Sequence, residues 1–207
     1  MINARMKDSI PRAAVIGVGS GLLLMAFFTL IWMGIAESGL KGVWATVITV
    51  IFLVFSLAFA LNGAYLLVIA KRYLKLSTQE NNREGKSIGK RFGIIFGTEG
   101  VVIGIAARIL SATNHYNFFF PVLALIVGLH FYPMAKVFKR NIDYYIATWS
   151  CIVAIVGFIL VFNAVLSDAV AIVIGVGLAL STSFYGFYMM FMGRKILRAN
   201  SEYAKAI

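Results

Sequence analysis

Residues 92–140 read FGIIFGTEGVVIGIAARILSATNHYNFFFPVLALIVGLHFYPMAKVFKR. Two apolar runs, 92–112 and 118–135, flank the polar stretch Thr113-Asn114-His115-Tyr116-Asn117. Each run is near the ~20 residues that carry an α-helix across the hydrocarbon core of a bilayer. A single helix through both would bury the polar stretch in lipid, where its groups find no partners. The segment is therefore read as a hairpin of two membrane-spanning helices. Four further apolar runs surround it, at 13–36 and 43–70 upstream and at 144–166 and 170–192 downstream. Pro11 precedes the first, in a position where a helix tolerates proline. Ser167 or Asp168 suits the N-cap of the last. The expected fold is all-α, a single integral membrane bundle of six transmembrane helices spanning residues 1–207.

Composition requires the same solvent. Hydrophobic residues make up 61% of the chain and charged residues 13%, with a mean hydropathy of +0.89. A soluble domain is about 45–50% apolar and about 25% charged. The run at 13–36 exceeds the ~7–15 apolar residues of a signal-peptide core and lacks a small-residue cleavage site after it, so it reads as a retained helix. The lone Cys151 permits no intrachain disulfide.

The formal charge of +11 is distributed by topology. All but two of the 19 lysines and arginines fall at the N-terminal segment, the loop at 71–91, the loop after the fourth run, or the C-terminal tail. The exceptions are Lys41 and Arg108. With both ends in the cytoplasm, a six-span chain satisfies the positive-inside rule at every loop. Aromatic residues fit such an orientation: Trp32, Trp44 and Phe118 to Phe120 at the outer interface, and Tyr144, Tyr145 and Trp149 at the inner one. The outer connections are short, which pairs the helices as hairpins, one with two, three with four and five with six. Residues 71–91 form the one sizeable polar segment, read as a cytosolic loop. No continuous basic face of the kind nucleic acid requires is present.

Ionisable residues inside a membrane mark functional sites. Glu99 lies seven residues past Phe92, roughly 10 Å along the helix at ~1.5 Å per residue. His130 lies at similar depth on the hairpin-paired fourth run. Asn62, Ser20, Ser150 and Tyr188 come out in the same slab. These residues predict a small polar pocket that opens to the cytosol around Glu99 and His130. A Glu–His couple can pass a proton, hold a cation or an amine, or act as general acid and base. The bland alternative is a hydrogen bond that locks two helices together, worth ~1–2 kcal/mol. Gly93, Gly97, Gly100 and Gly104 share one stripe of the third run, a pattern that lets another backbone approach closely. Arg108 continues that stripe and forms an outer site candidate with Glu37, His115 and Asp168. Snorkelling of Arg108 to the interface is the plainer reading.

Several motifs fail on inspection. Gly17-Val18-Gly19-Ser20-Gly21 lacks the strand that a dinucleotide fingerprint needs. Gly85-Lys86-Ser87 lacks the first glycine of a phosphate-binding loop, since that position is Glu80. His115 and His130 belong near opposite membrane faces and cannot share a metal, so neither a metal nor another cofactor is expected.

The stretch Gly128-Leu129-His130-Phe131-Tyr132-Pro133-Met134-Ala135, followed by Lys136 and Phe138, resembles a group of small bacterial multi-pass membrane proteins. Those proteins carry a similar G-L-H-F-x-P-x-A segment before a basic loop. Glu99 within Gly97-Thr98-Glu99-Gly100 is similar to a recurring feature of the same group. The resemblance covers roughly residues 92–165, implies a bacterial inner-membrane location and supplies no substrate. The leading expectation is a small-molecule or ion permease, proton-coupled, in which the third helix slides on its glycine stripe. Alternatives are a membrane-embedded enzyme with Glu99 and His130 as acid and base, and a non-catalytic sensor or assembly protein. The last would use residues 71–91 to meet a cytosolic partner or anionic lipid. A homodimer through Gly17 and Gly21 is a further expectation.

Overall fold

In the computed structural model, which describes residues 12–73 and 79–205, with side chains for 12–73, 83 and 85–198, six long α-helices follow one another. They are α1 (Arg12–Glu37), α2 (Gly42–Ile69), α3 (Gln79–Ala112), α4 (Phe119–Phe138), α5 (Asn141–Phe162) and α6 (Ser167–Lys205). Short 3-10 turns at Ala70–Arg72 and Tyr116–Phe118 adjoin α2 and α4. All six helices contain a window long and apolar enough to cross a membrane. The chain is an integral membrane bundle of six transmembrane helices, with no strand among the described residues. Arg5, Lys7, Pro11 and Lys75 lie outside those residues.

Two boundaries depart from expectation. The second half of the basic segment 71–91 is helix rather than loop, because α3 begins at Gln79. Its first turns are rich in Gln, Glu, Arg and Lys, which form helix readily in water. The same composition carries α6 on to Lys205. Three of the chain reversals share one device. Asn114, Lys139 and Ala164 hold left-handed backbone, with φ of 57°, 53° and 52°. The following amides of His115, Arg140 and Val165 then close back on Leu110, Ala135 and Leu160 at 2.8, 3.2 and 3.0 Å. These are Schellman closures made without glycine, which costs roughly 1–2 kcal/mol at each left-handed position.

The helices pack in the spatial order α2, α1, α6, α5, α4, α3, with α6 also touching α2 and α4. Hairpin neighbours do pair, but the most extensive seam joins α1 to α6. Backbones meet closely there: a Cβ on Gly175 would stand 2.6 Å from the Trp32 carbonyl oxygen. Trp32 is therefore a core residue of this seam, 3% exposed, and not part of an interfacial belt. Gly63 on α2 approaches the Gly19 carbonyl of α1 in the same way, at 2.8 Å from a hypothetical Cβ. Hydroxyl contacts cross three of the seams. Thr29 meets Thr182 at 2.9 Å, Ser150 meets Ser181 at 3.2 Å, and Ser56 donates to the Ala26 carbonyl at 2.8 Å. Trp149 Nε1 donates to the Gly177 carbonyl at 2.8 Å.

Helix α3 stands apart. It leans on α4 and on the turn before α4, and none of its most apolar window is buried, against 61% for α6. Its glycine stripe does not pack within the chain: a Cβ at Gly93, Gly97, Gly100 or Gly104 would meet nothing within 4 Å. The close approach of another backbone expected of this stripe is not made within the chain. Small residues permit close approach but do not supply the approaching helix. The glycines proposed for a homodimer also separate. Gly21 is occupied by Met189 of α6, whereas Gly17 faces open space.

Candidate functional site

The seam that α3 makes with α4 carries the two ionisable groups singled out above. Glu99 points from α3 and His130 from α4, with Oε1 and Nδ1 3.3 Å apart. Their side chains are only 8% and 9% exposed, which removes both from lipid as their cost demands. Gly128 positions this face of α4. A Cβ there would lie 2.8 Å from Cys151 Sγ and 3.0 Å from the Cys151 amide. Glycine therefore lets α5 close on one side of α4 while His130 turns toward α3 on the other. Aromatic rings wall the pair. The imidazole sits 4.2 Å from the Phe131 ring and 6.0 Å, edge to face, from Phe96. Phe28 of α1 reaches Phe96 at 6.0 Å, the one ring contact that links α3 to the far side of the bundle among the described residues.

The carboxylate and the imidazole meet at ion-pair distance without good hydrogen-bond alignment, and Glu99 Oε2 and His130 Nδ1 are buried with no hydrogen-bond partner. Buried polar atoms are satisfied in the great majority of cases. Oε2 of Glu99 is a buried acceptor that no donor of the described residues reaches. No cluster able to hold a metal exists among the described residues.

The expected slab of polar residues does not converge. Asn62 donates to the Ala58 carbonyl one turn back in α2, at 2.8 Å. Ser20 is exposed on α1. Tyr188 lies beside Tyr185, ring centroids 6.3 Å apart. Ser150 is spent on Ser181. The two cavities described open away from Glu99 and His130. One, of about 390 Å³, lies between the basic ends of α3 and α4. The other, of about 270 Å³, lies near Tyr116, Phe120 and Ser167 at the opposite end. Arg108 is exposed and gathers no outer cluster. Asp168 pairs instead with Lys41 at 2.8 Å, and His115 stacks loosely on Phe118.

The structure adds a third ionisable group that sequence reasoning passed over. Asp143, in the first turn of α5, is completely buried. Arg140 Nε approaches its Oδ2 at 3.4 Å, and the Tyr185 side chain faces it from α6. The Arg140 guanidinium also lies 4.4 Å over the Phe138 ring and 5.6 Å from that of Tyr185. A signal was present: Ser181, Thr182, Ser183 and Tyr185 interrupt the apolar run of α6, and polar groups there require polar partners inside the bundle. The chain matches no family model, no curated protein and no solved structure.

Proposed function

We propose that this protein is a small-solute or ion permease of a bacterial inner membrane, coupled to protons at the Glu99–His130 pair. The carrying observation is the placement of that pair. It forms the polar contact of the only extensive seam that α3 makes among the described residues, and both groups are withdrawn from lipid with a carboxylate oxygen unsatisfied. Protonating either partner changes the attraction between α3 and α4, so a charge event translates into a helix displacement. The free glycine stripe offers no interdigitated packing to resist the movement. Polar groups at such depth serve ion pathways and proton relays in membrane proteins. The enclosed pair then corresponds to an occluded state, and the cytoplasmic side is the basic end, by the distribution of lysine and arginine.

The burial of the pair away from both described cavities favours a second reading, a non-catalytic membrane sensor or assembly protein in which Glu99 and His130 lock α3 to α4. An enzyme that uses the same groups as acid and base requires a substrate cavity beside both. The permease and lock readings separate in proteoliposomes loaded with a pH-sensitive dye and challenged with alkali cations and small amines. A permease gives solute-dependent proton movement that Glu99→Gln abolishes while the protein stays monodisperse. Proton movement with none of the solutes, together with a lowered thermal midpoint in Glu99→Gln, leaves the lock.

A further inference from the structure

The basic ends of α3 and α4 enclose a cleft of about 390 Å³ that the Glu99–His130 pair does not touch. Arg83 and Arg91 reach it from α3, and Lys136 and Lys139 from the end of α4. Ser87 contributes a hydroxyl, and no carboxylate lines the cleft among the described residues. None of the four cations makes an ion pair there: the salt bridges of the described side chains are Lys41–Asp168, His130–Glu99 and Arg140–Asp143. Four like charges around one cleft repel each other, and an anion between them relieves the repulsion. Lys139 is the left-handed residue that caps α4, its amide bonded to the Ala135 carbonyl, so its backbone belongs to the helix end.

The cleft is lined on its apolar side by Ile88 and Val137. The residues next to Arg91 and Val137 along the two helices meet as well: Phe92 of α3 lies against Phe138 of α4, ring centroids 6.1 Å apart, and Phe92 stacks on Phe96 at 5.3 Å. Cations at the end of apolar membrane-spanning helices match an anionic head with apolar matter beside it. Arginine forks and lysine ammonium groups are the usual partners of phosphate oxygens.

We infer that this cleft is a phosphate-binding site, in which Arg83, Arg91, Lys136 and Lys139 hold a phosphate group supplied by an anionic phospholipid head or by a soluble phosphate. It stands independently of the reading of Glu99 and His130. The site sits where α3 meets α4, so an occupant bridges the peripheral helix to the bundle at its basic end.

The test uses the full chain in detergent, with lipid adducts counted by native mass spectrometry. Phosphatidylglycerol is titrated against phosphatidylcholine, and inorganic phosphate and pyrophosphate are titrated separately. The triple variant Arg91→Gln, Lys136→Gln, Lys139→Gln removes the cleft charges, and Arg194→Gln, Lys195→Gln removes two exposed charges of the α6 tail as a control. All five are exposed, and an unchanged thermal midpoint verifies folding. The inference predicts that phosphatidylglycerol or a soluble phosphate binds the native protein, and that the triple variant weakens this by about tenfold or more, the equivalent of one lost charge-assisted contact. The tail variant binds within about twofold of native. Tight phosphatidylglycerol binding that millimolar phosphate does not displace assigns the lipid head, and displacement assigns the soluble anion. Equal losses in the triple and tail variants, or none in the triple variant, overturn the site, because the attraction is then diffuse surface charge.

Discussion

The α1–α6 seam and helix α3 contain the same kinds of residue and use them in opposite ways. Both carry glycines at helical spacing. In the seam, Gly175 is pressed against the backbone of Trp32 and Ala36, and buried Thr29 and Thr182 exchange a hydrogen bond across it. On α3, four glycines face open space, and the helix is held by Glu99–His130 and a few aromatic rings. Association of helices in lipid relies on packing and interhelical polar contacts, because lipid tails are as apolar as leucine. The seam has both in quantity. Helix α3 has little packing and one buried polar contact.

The largest contrast comes from adding bulk. Gly175→Val forces side-chain atoms into the α1 backbone and is expected to cost ~3 kcal/mol or more, whereas Gly97→Val is expected to stay within ~0.5 kcal/mol. Reversible unfolding in mixed micelles measures both. A comparable loss at Gly97 would mean that α3 is packed after all, by a second copy of the chain.

Next in size is the buried carboxylate of α5. Arg140→Ala leaves Asp143 without its cation and is expected to cost ~2 kcal/mol, less than for a fully buried pair because the Arg140 side chain is 26% exposed. The double variant Arg140→Ala, Asp143→Asn should recover much of the loss, since the uncompensated charge is gone. Failure to recover would assign the loss to the guanidinium's packing on Phe138.

A smaller effect is expected from Thr29→Val, ~0.6–1 kcal/mol. Thr182 loses its partner across the seam but still donates to the Leu178 or Ala179 carbonyl of its own helix, at 3.2 and 3.1 Å. A larger loss in a thermal scan would show that the hydroxyl contact itself organises the seam.

The smallest effect belongs to Lys41 and Asp168, which tie the α1–α2 connection to the start of α6 at the surface. The hydrogen bond and charge of Asp168 raise the Lys41 ammonium above its ordinary value of 10.5. The folded state thus holds the proton more tightly, so the contribution is fully present below that value and is lost as pH rises past it. Both groups are solvated, and salt should erase the effect. A thermal midpoint that falls between pH 10 and 12 in native protein, and equally in Asp168→Asn, would exclude the pair as its source.

The six helices were legible because span length is written in consecutive apolar residues, and lipid allows few alternatives to a helix. The Glu99–His130 contact was legible for a similar reason, since a short turn forces α3 and α4 together and both groups avoid lipid. Partner choice was not legible. Gly175 and Gly97 are identical letters on apolar helices, and which one meets another backbone depends on the arrangement of the whole bundle. Trp32 reads as an interfacial anchor until α6 covers it. Asp143 reads as a first-turn acid beside a basic loop, and its burial comes from Tyr185 on a helix distant in sequence.

In the proposed permease, α3 is a helix whose position follows the Glu99–His130 contact. Spin labels at Val101 on α3 and Ile155 on α5, both exposed on the outside of the bundle, report that position by electron–electron distance measurement in nanodiscs, with Cys151 replaced by alanine. Two distances are expected, with proportions that change with pH in otherwise native protein and no longer change in Glu99→Gln. A single distance, the same at every pH and in the variant, would contradict this and leave the pair as a fixed lock between two helices.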